Sequence, residues 1–159
     1  MHQLAARNDS ASPDGTTLAV HQVESAGTAP WHIGYPPHER TAREAAVRGI
    51  VIEHRGQQFT AEDFGRFDLV IAMDSANVSD LLALAPDETA RAKVTRLGAF
   101  AAGVGAHAKA GDGGLDVPDP YGHRQAAYAT MFDQVEQACA GLLEWLAEGA
   151  SDWETCRSP

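Results

Sequence analysis

Residues 67–73 read Phe-Asp-Leu-Val-Ile-Ala-Met, and from Leu69 onward this run is apolar without a break. A strand with one wet face alternates apolar and polar side chains, whereas a strand that is apolar at every position has to be covered on both faces. That is the situation of a parallel strand inside an α/β sandwich. The run therefore demands helices on two sides of a sheet.

The rest of the chain supplies them. Phe132, Val135, Cys139, Leu142, Leu143 and Leu146 recur at spacings of three and four and form one apolar helical stripe, which makes Cys139 a core residue. Val78, Leu81, Leu82 and Ala85 repeat in the same way, and Pro86 closes that helix. A third helix runs from His38 through Ala42, Ala45, Ala46 and Val47 and stops at Gly49, with residues 50–52 as a short buried connector. Thr60 and Asp63 have the spacing of a capping box before a short helix.

Residues 16–24, with Leu18, Val20 and Val23, are expected to form a strand followed by a turn at 25–28, and residues 93–97 offer another short strand. Residues 1–8 read as the end of a helix that runs into a polar turn at 8–15. Six glycines between Gly98 and Gly114 predict a flexible loop leading to Val117-Pro118-Asp119-Pro120-Tyr121. The expected fold is α/β, a three-layer sandwich with a parallel sheet, in one domain over residues 1–150 with a polar tail at 151–159.

A net charge of -10 opposes a nucleic-acid backbone or an anionic membrane surface as partner, so an anionic ligand needs a focused site. No stretch approaches the roughly 18 consecutive apolar residues of a membrane helix. The absence of a secretory leader and the presence of only Cys139 and Cys156 point to the cytoplasm. His21, His32, His38, His54, His107 and His123 recur with no metal-ligand spacing, so neither metal nor cofactor is expected.

Four groups of residues, taken in order, resemble the low-molecular-weight protein tyrosine phosphatases. They are Val23 to Thr28 with Trp31-His32-Ile33-Gly34 and Pro36-Pro37; Gly49-Ile50 with His54-Arg55 and Gln58; Asp63-Phe64 with Phe67 to Asp74 and Asn77; and Val117-Pro118-Asp119-Pro120-Tyr121. The resemblance runs from about Val23 to Leu146 and implies the phosphotyrosine protein phosphatase I-like fold. It also implies hydrolysis of phosphotyrosine-containing proteins through a cysteinyl-phosphate.

In such a site a C-x₅-R-S loop at a helix N-terminus holds the phosphate, and its backbone N–H groups, the helix dipole and the Arg lower the cysteine pKa. By this resemblance Asp119 is the general acid and later the base that activates water, in a loop stiffened by proline on both sides. Trp31 and Tyr121 would wall the substrate ring. Ser25, His54 and Asp74 would orient the phosphate loop from neighbouring strand ends.

In the family, the nucleophile loop follows a first strand that lies mid-sheet. This chain opens as though inside the helix after that loop, so Met1 is expected to be an internal methionine or a fragment edge, and the neighbouring strands are expected to lose their hydrogen-bond partners. The terminal Cys156-Arg157-Ser158-Pro159 suggests circular permutation. However, Ser151 stands where the nucleophile belongs, and Asp152 and Glu154 would repel a phosphate. A non-catalytic phosphotyrosine-binding module is the alternative function. The arsenate reductases that share this fold need resolving cysteines, for which no pair is apparent. Gly122 in place of a second Tyr, and Gln57 in place of an Arg, are departures bearing on substrate preference.

Overall fold

The computed structural model describes residues 3–9, 20–101 and 115–147. Its strands are β1 (Gln3–Asp9), β2 (Val20–Ala26), β3 (Leu69–Ala72) and β4 (Val94–Arg96). Its α-helices are α1 (Glu39–Val47), α2 (Ser75–Leu84), α3 (Glu88–Ala92) and α4 (Gln125–Ala147). Short 3-10 turns occupy Pro30–His32, Ala61–Gly65 and Leu97–Phe100.

The strands form one sheet in the order β2-β1-β3-β4. β3 pairs parallel with β4, Val70 opposite Val94 and Ala72 opposite Arg96. β1 lies antiparallel to both its neighbours, with Ala5 between Glu24 of β2 and Val70 of β3. Since β1 opposes both, β2, β3 and β4 all run the same way and end on the same edge of the sheet.

β1 corrects two expectations. Residues 3–9 form a strand, not the end of a helix, and β2 and β3 do not lack partners, because β1 lies hydrogen-bonded between them. The sequence Gln-Leu-Ala-Ala-Arg-Asn-Asp favours a helix locally. Two parallel neighbours one strand apart expose rows of N–H and C=O groups, and pairing these outweighs a propensity difference of under ~1 kcal/mol per residue. β2 also extends through Ser25 and Ala26, which the sequence placed in a turn; residues 16–19 lie outside the described residues.

Every residue of β3 is buried, and its two faces head separate cores. Val70 and Ala72 pack with Phe59, Phe64, Phe67, Leu81 and Ala90. Leu69, Ile71 and Met73 pack with Leu97, Phe100, Val117, Ala138 and Leu142. These are the two covered faces that the unbroken apolar run requires, and each buried phenylalanine contributes about 2 kcal/mol.

The helices start and stop where their caps say. Asp74 accepts a hydrogen bond from the Asn77 amide at 2.7 Å and starts α2. Asp87 does the same for the short α3, which the sequence reading did not anticipate. The Thr60–Asp63 capping box is present, and α1 ends at Gly49 with φ +73°. The connector after it is not buried: Ile50 is 42% and Val51 80% exposed, because the Ile50 amide turns back onto the Ala45 carbonyl and carries the chain outward.

α4 buries Ala138 and Leu142, with Met131, Val135, Cys139, Trp145 and Leu146 packed beside them, while Leu143 faces outward. The predicted stripe therefore holds at Val135, Cys139, Leu142 and Leu146, whereas half-buried Phe132 meets the Arg48 guanidinium 5.3 Å from its ring centre and a 3.6-residue period rotates Leu143 away once Ala138 and Leu142 face the core. Of the predicted glycine-rich loop, Leu97–Phe100 is a buried turn, and residues 102–114 lie outside the described residues. Gly98 is there for space, since a Cβ on it would stand 2.2 Å from the Leu115 carbonyl oxygen.

Candidate active site at the strand ends

In open α/β sheets ligands bind beyond the carboxyl ends of the parallel strands. Here that edge carries Ser25 at the end of β2, Asp74 directly after β3, and residues 115–121 beyond β4. The Ser25 hydroxyl and His54 Nε2 are 3.2 Å apart, so two of the expected orienting residues meet although 29 positions separate them.

The chain from Gly27 to Tyr35 is fastened along residues 54–59. The Gly27 amide donates to Gln57 O at 2.8 Å and the Phe59 amide to Gly27 O at 2.9 Å. The Gly34 amide donates to Gly56 O at 2.8 Å, and Arg55 Nη1 to Gly34 O at 3.0 Å. Gly56 makes this approach possible, because a Cβ there would fall 2.2 Å from the His32 carbonyl oxygen. Thr28 also donates to the Asp80 carboxylate of α2 at 2.9 Å. On this anchored loop Trp31 stands 77% exposed, an aromatic face presented to solvent by a fixed backbone.

Asp119 and Tyr121 lie on the opposite segment. The Val117 amide donates to the Met73 carbonyl at 2.8 Å, which fastens this segment to the end of β3. Asp119 is exposed, and its Oδ1 accepts from the Tyr121 amide at 2.9 Å, an Asx turn that holds the carboxylate in one orientation. Tyr121 is 68% exposed, with its edge on the His38 ring at 5.5 Å, and that ring stacks on buried Tyr128 at 5.7 Å. The side chain of Arg40 donates to His123 O, and Gln125 Nε2 donates to Arg40 O at 3.2 Å, so α1 braces the segment from the other side.

Asp74 sits at the same edge, with its carboxylate committed to capping α2. His38, Ser75, Arg96 and Asp116 were not singled out from the sequence. β4 reads Val-Thr-Arg, and its arginine stands out only once the structure shows it buried.

Arg96 is 5% exposed and its Nη1 donates to Asp116 Oδ1 at 2.9 Å, while the Ser75 hydroxyl donates to Asp116 Oδ2 at 2.8 Å. Partial burial pushes the Asp116 carboxyl up, but the hydrogen bonds from Arg96 and Ser75 prevail and hold it below the usual carboxylate range. Asp63 behaves alike: burial opposes ionisation, and bonds from Thr60 and Arg66 more than offset it. Stability contributed by two such depressed groups is complete above about pH 4 and is lost as pH falls through their lowered folded values. Urea midpoints are therefore expected to drop steeply below pH 4, with a shallower drop in Asp63→Asn and Asp116→Asn than in the parent chain.

Cys139 is the described cysteine. Burial and then the Glu136 charge push its thiol up, so it stays protonated near neutrality and is no nucleophile. Cys156, with the Cys-Arg-Ser-Pro terminus, lies outside the described residues. Among the described residues no group of three or more His, Cys, Asp or Glu side chains is arranged to hold a metal ion, and no helix is long and apolar enough to cross a membrane.

The chain is similar to known proteins in sequence and in fold. The sequence profile of the low molecular weight phosphotyrosine protein phosphatases matches residues 7–151. A low molecular weight protein-tyrosine-phosphatase of Streptomyces coelicolor is 36% identical over 127 residues, covering 80% of this chain and 74% of that protein. The human low molecular weight phosphotyrosine protein phosphatase is 31% identical over 124 residues, covering 77% and 73%. Among solved structures, a protein tyrosine phosphatase from Entamoeba histolytica with Hepes in its active site superposes with a TM-score of 0.69 at 28% identity, covering 79% of this chain and 74% of that one.

Proposed function

The chain belongs to the low molecular weight phosphotyrosine protein phosphatase family, and from that premise we propose that Asp119 is its general acid and base, that Trp31 and Tyr121 flank the substrate ring, and that Ser25, His54 and Asp74 support the phosphate loop. The reaction of the family is hydrolysis of phosphotyrosine. A cysteine thiolate attacks phosphorus, the bond to the phenolic oxygen breaks, and the acid's proton goes to that oxygen. The resulting carboxylate then takes a proton from water, whose oxygen attacks phosphorus and releases the thiolate with inorganic phosphate.

The observation that supports this assignment best is the Val117–Met73 hydrogen bond, which fastens the Asp119 segment to the strand end on the edge that also carries Ser25 and His54. Two exposed aromatic rings on separately anchored loops suit a flat, deep-set phosphoaryl group, and phosphotyrosine-bearing proteins of the cytoplasm are the substrates this implies. The thiolate comes from a C-x₅-R-S loop, which the described residues do not contain. A phosphatase form carrying that loop ahead of the described residues is expected to hydrolyse phenyl phosphate; no hydrolysis would count against the assignment.

A second reading, a phosphotyrosine-binding module without turnover, is favoured by the shielded, protonated Cys139. Under it the present chain binds phosphotyrosine peptide weakly. Trp31→Ala is expected to weaken that binding roughly tenfold through loss of one aromatic wall. Calorimetry that detects no binding to the parent chain removes the reading.

A further inference from the structure

The bond from the Tyr121 amide fixes the Asp119 carboxylate within its turn, and the turn itself has to be aimed at the substrate. Residues 115–117 enter the site in a way no loop requires. Leu115 and Val117 are buried, the Leu115 carbonyl lies where a Cβ on Gly98 would be, and the Val117 amide is bonded to Met73. Between them the Asp116 carboxylate takes one hydrogen bond on each oxygen, from Arg96 at the end of β4 and from Ser75 in the first turn of α2. One carboxylate thus ties the end of β4 to the start of α2, three residues before Asp119, while the neighbouring Val117 amide holds the end of β3.

We infer that Asp116, held by Arg96 and Ser75, is a positioning residue for catalysis: it sets the orientation of the Asp119–Tyr121 turn toward the substrate. A buried arginine is poorly suited to mere surface stabilisation. Its guanidinium is always charged, and its bond to one Asp116 oxygen, with the Ser75 hydroxyl on the other, fixes both distance and direction. Asp116 also stays ionised across the neutral range, so the clamp does not loosen while Asp119 gains and loses its proton. With Pro118 and Pro120 limiting the backbone on either side of Asp119, an error in the direction of residue 116 passes to the acid with little chance of relaxation.

The inference rests on Asp119 being the acid, and the experiment separates the two. In ¹⁵N-labelled full-length chain the Tyr121 amide, which donates to Asp119, reports that carboxylate's titration through its chemical shift. In Arg96→Met and in Asp116→Asn the Tyr121 amide is expected to lose most of this titration shift. Val117 should exchange roughly tenfold faster, with amides of α4 unchanged, and Arg96→Lys should restore much of both effects. Should Arg96→Met fail to fold, Asp116→Asn and Ser75→Ala carry the test, the latter with the smaller effect.

An unchanged Tyr121 titration together with unchanged Val117 exchange in the folded variants overturns the clamp, whatever Asp119 does. In a form carrying the nucleophile loop, Asp116→Asn should lower kcat for phenyl phosphate with KM unchanged. If the amide shifts respond as expected while Asp119→Asn leaves hydrolysis intact, the clamp stands and the assignment of the acid is what fails.

Discussion

Gly141→Ala is expected to destabilise the protein by about 3 kcal/mol, although alanine is the best helix former and glycine nearly the worst. Gly141 lies inside α4, where helix propensity alone predicts a gain of about 1 kcal/mol from the change. A Cβ at that position, however, would stand 1.9 Å from the Phe100 carbonyl oxygen, closer than any real contact, and the obstacle is backbone. α4 would have to lift away from the Leu97–Phe100 turn, loosening Phe100 from Trp145, whose rings now lie 5.5 Å apart, and opening the core that both share with Leu142. Gly65→Ala is the control: nothing lies within 4 Å of a Cβ there, and the change should stay within about 0.5 kcal/mol. Urea unfolding followed by tryptophan fluorescence measures both, and a Gly141→Ala chain as stable as the parent would show that the helix and the turn are not in this contact.

The second large effect concerns chemistry. In a form carrying the nucleophile loop, Asp119→Asn is expected to lower kcat for phosphotyrosine by about 10²- to 10⁴-fold, the usual worth of a positioned general acid. The size should depend on the leaving group. A tyrosyl phenol has a pKa near 10 and departs poorly as an anion, so it needs the proton, whereas a nitrophenol departs without help. The loss in kcat/KM, which reports the step in which the leaving group departs, is therefore expected to be much smaller for p-nitrophenyl phosphate, and burst kinetics should show the second step, water attack, slowed for both substrates. Equal losses in kcat/KM on both substrates would mean that Asp119 acts through folding or binding and not as the acid. The asparagine can still accept the Tyr121 amide bond, so the turn is expected to survive the substitution.

Much of this architecture is legible in the chain because it depends on neighbours in sequence. The unbroken apolar run at β3, the capping box at Thr60, the stop at Gly49 and most of the apolar stripe of α4 each declare themselves within a few residues. The same holds for the resemblance that picked out Ser25, His54, Asp119 and Tyr121, since those residues stand in short ordered motifs. What stayed hidden depends on distance through space. Nothing local in Gln3–Asp9 announces a strand; the open rows of backbone groups on β2 and β3 make it one. Leu143 carries the right side chain on the wrong side of its helix. Gly98 and Gly141 read as flexibility or as weak helix, yet both leave room for a passing carbonyl oxygen.

The site divides in the same way. The sequence by itself determined the α/β class, the family, and which side chains are chemically able to donate a proton or to stack on an aryl ring, because residue type and short-range spacing carry that information. Only the tertiary structure decided that Ser25 meets His54, that His38 backs Tyr121, and that Arg96 with Ser75 holds Asp116 at the base of the Asp119 turn. Those pairings span up to 83 residues, as between His38 and Tyr121. They arise because β2, β3 and β4 point the same way and deliver their ends to one edge, a property of strand order and direction that no stretch of sequence contains.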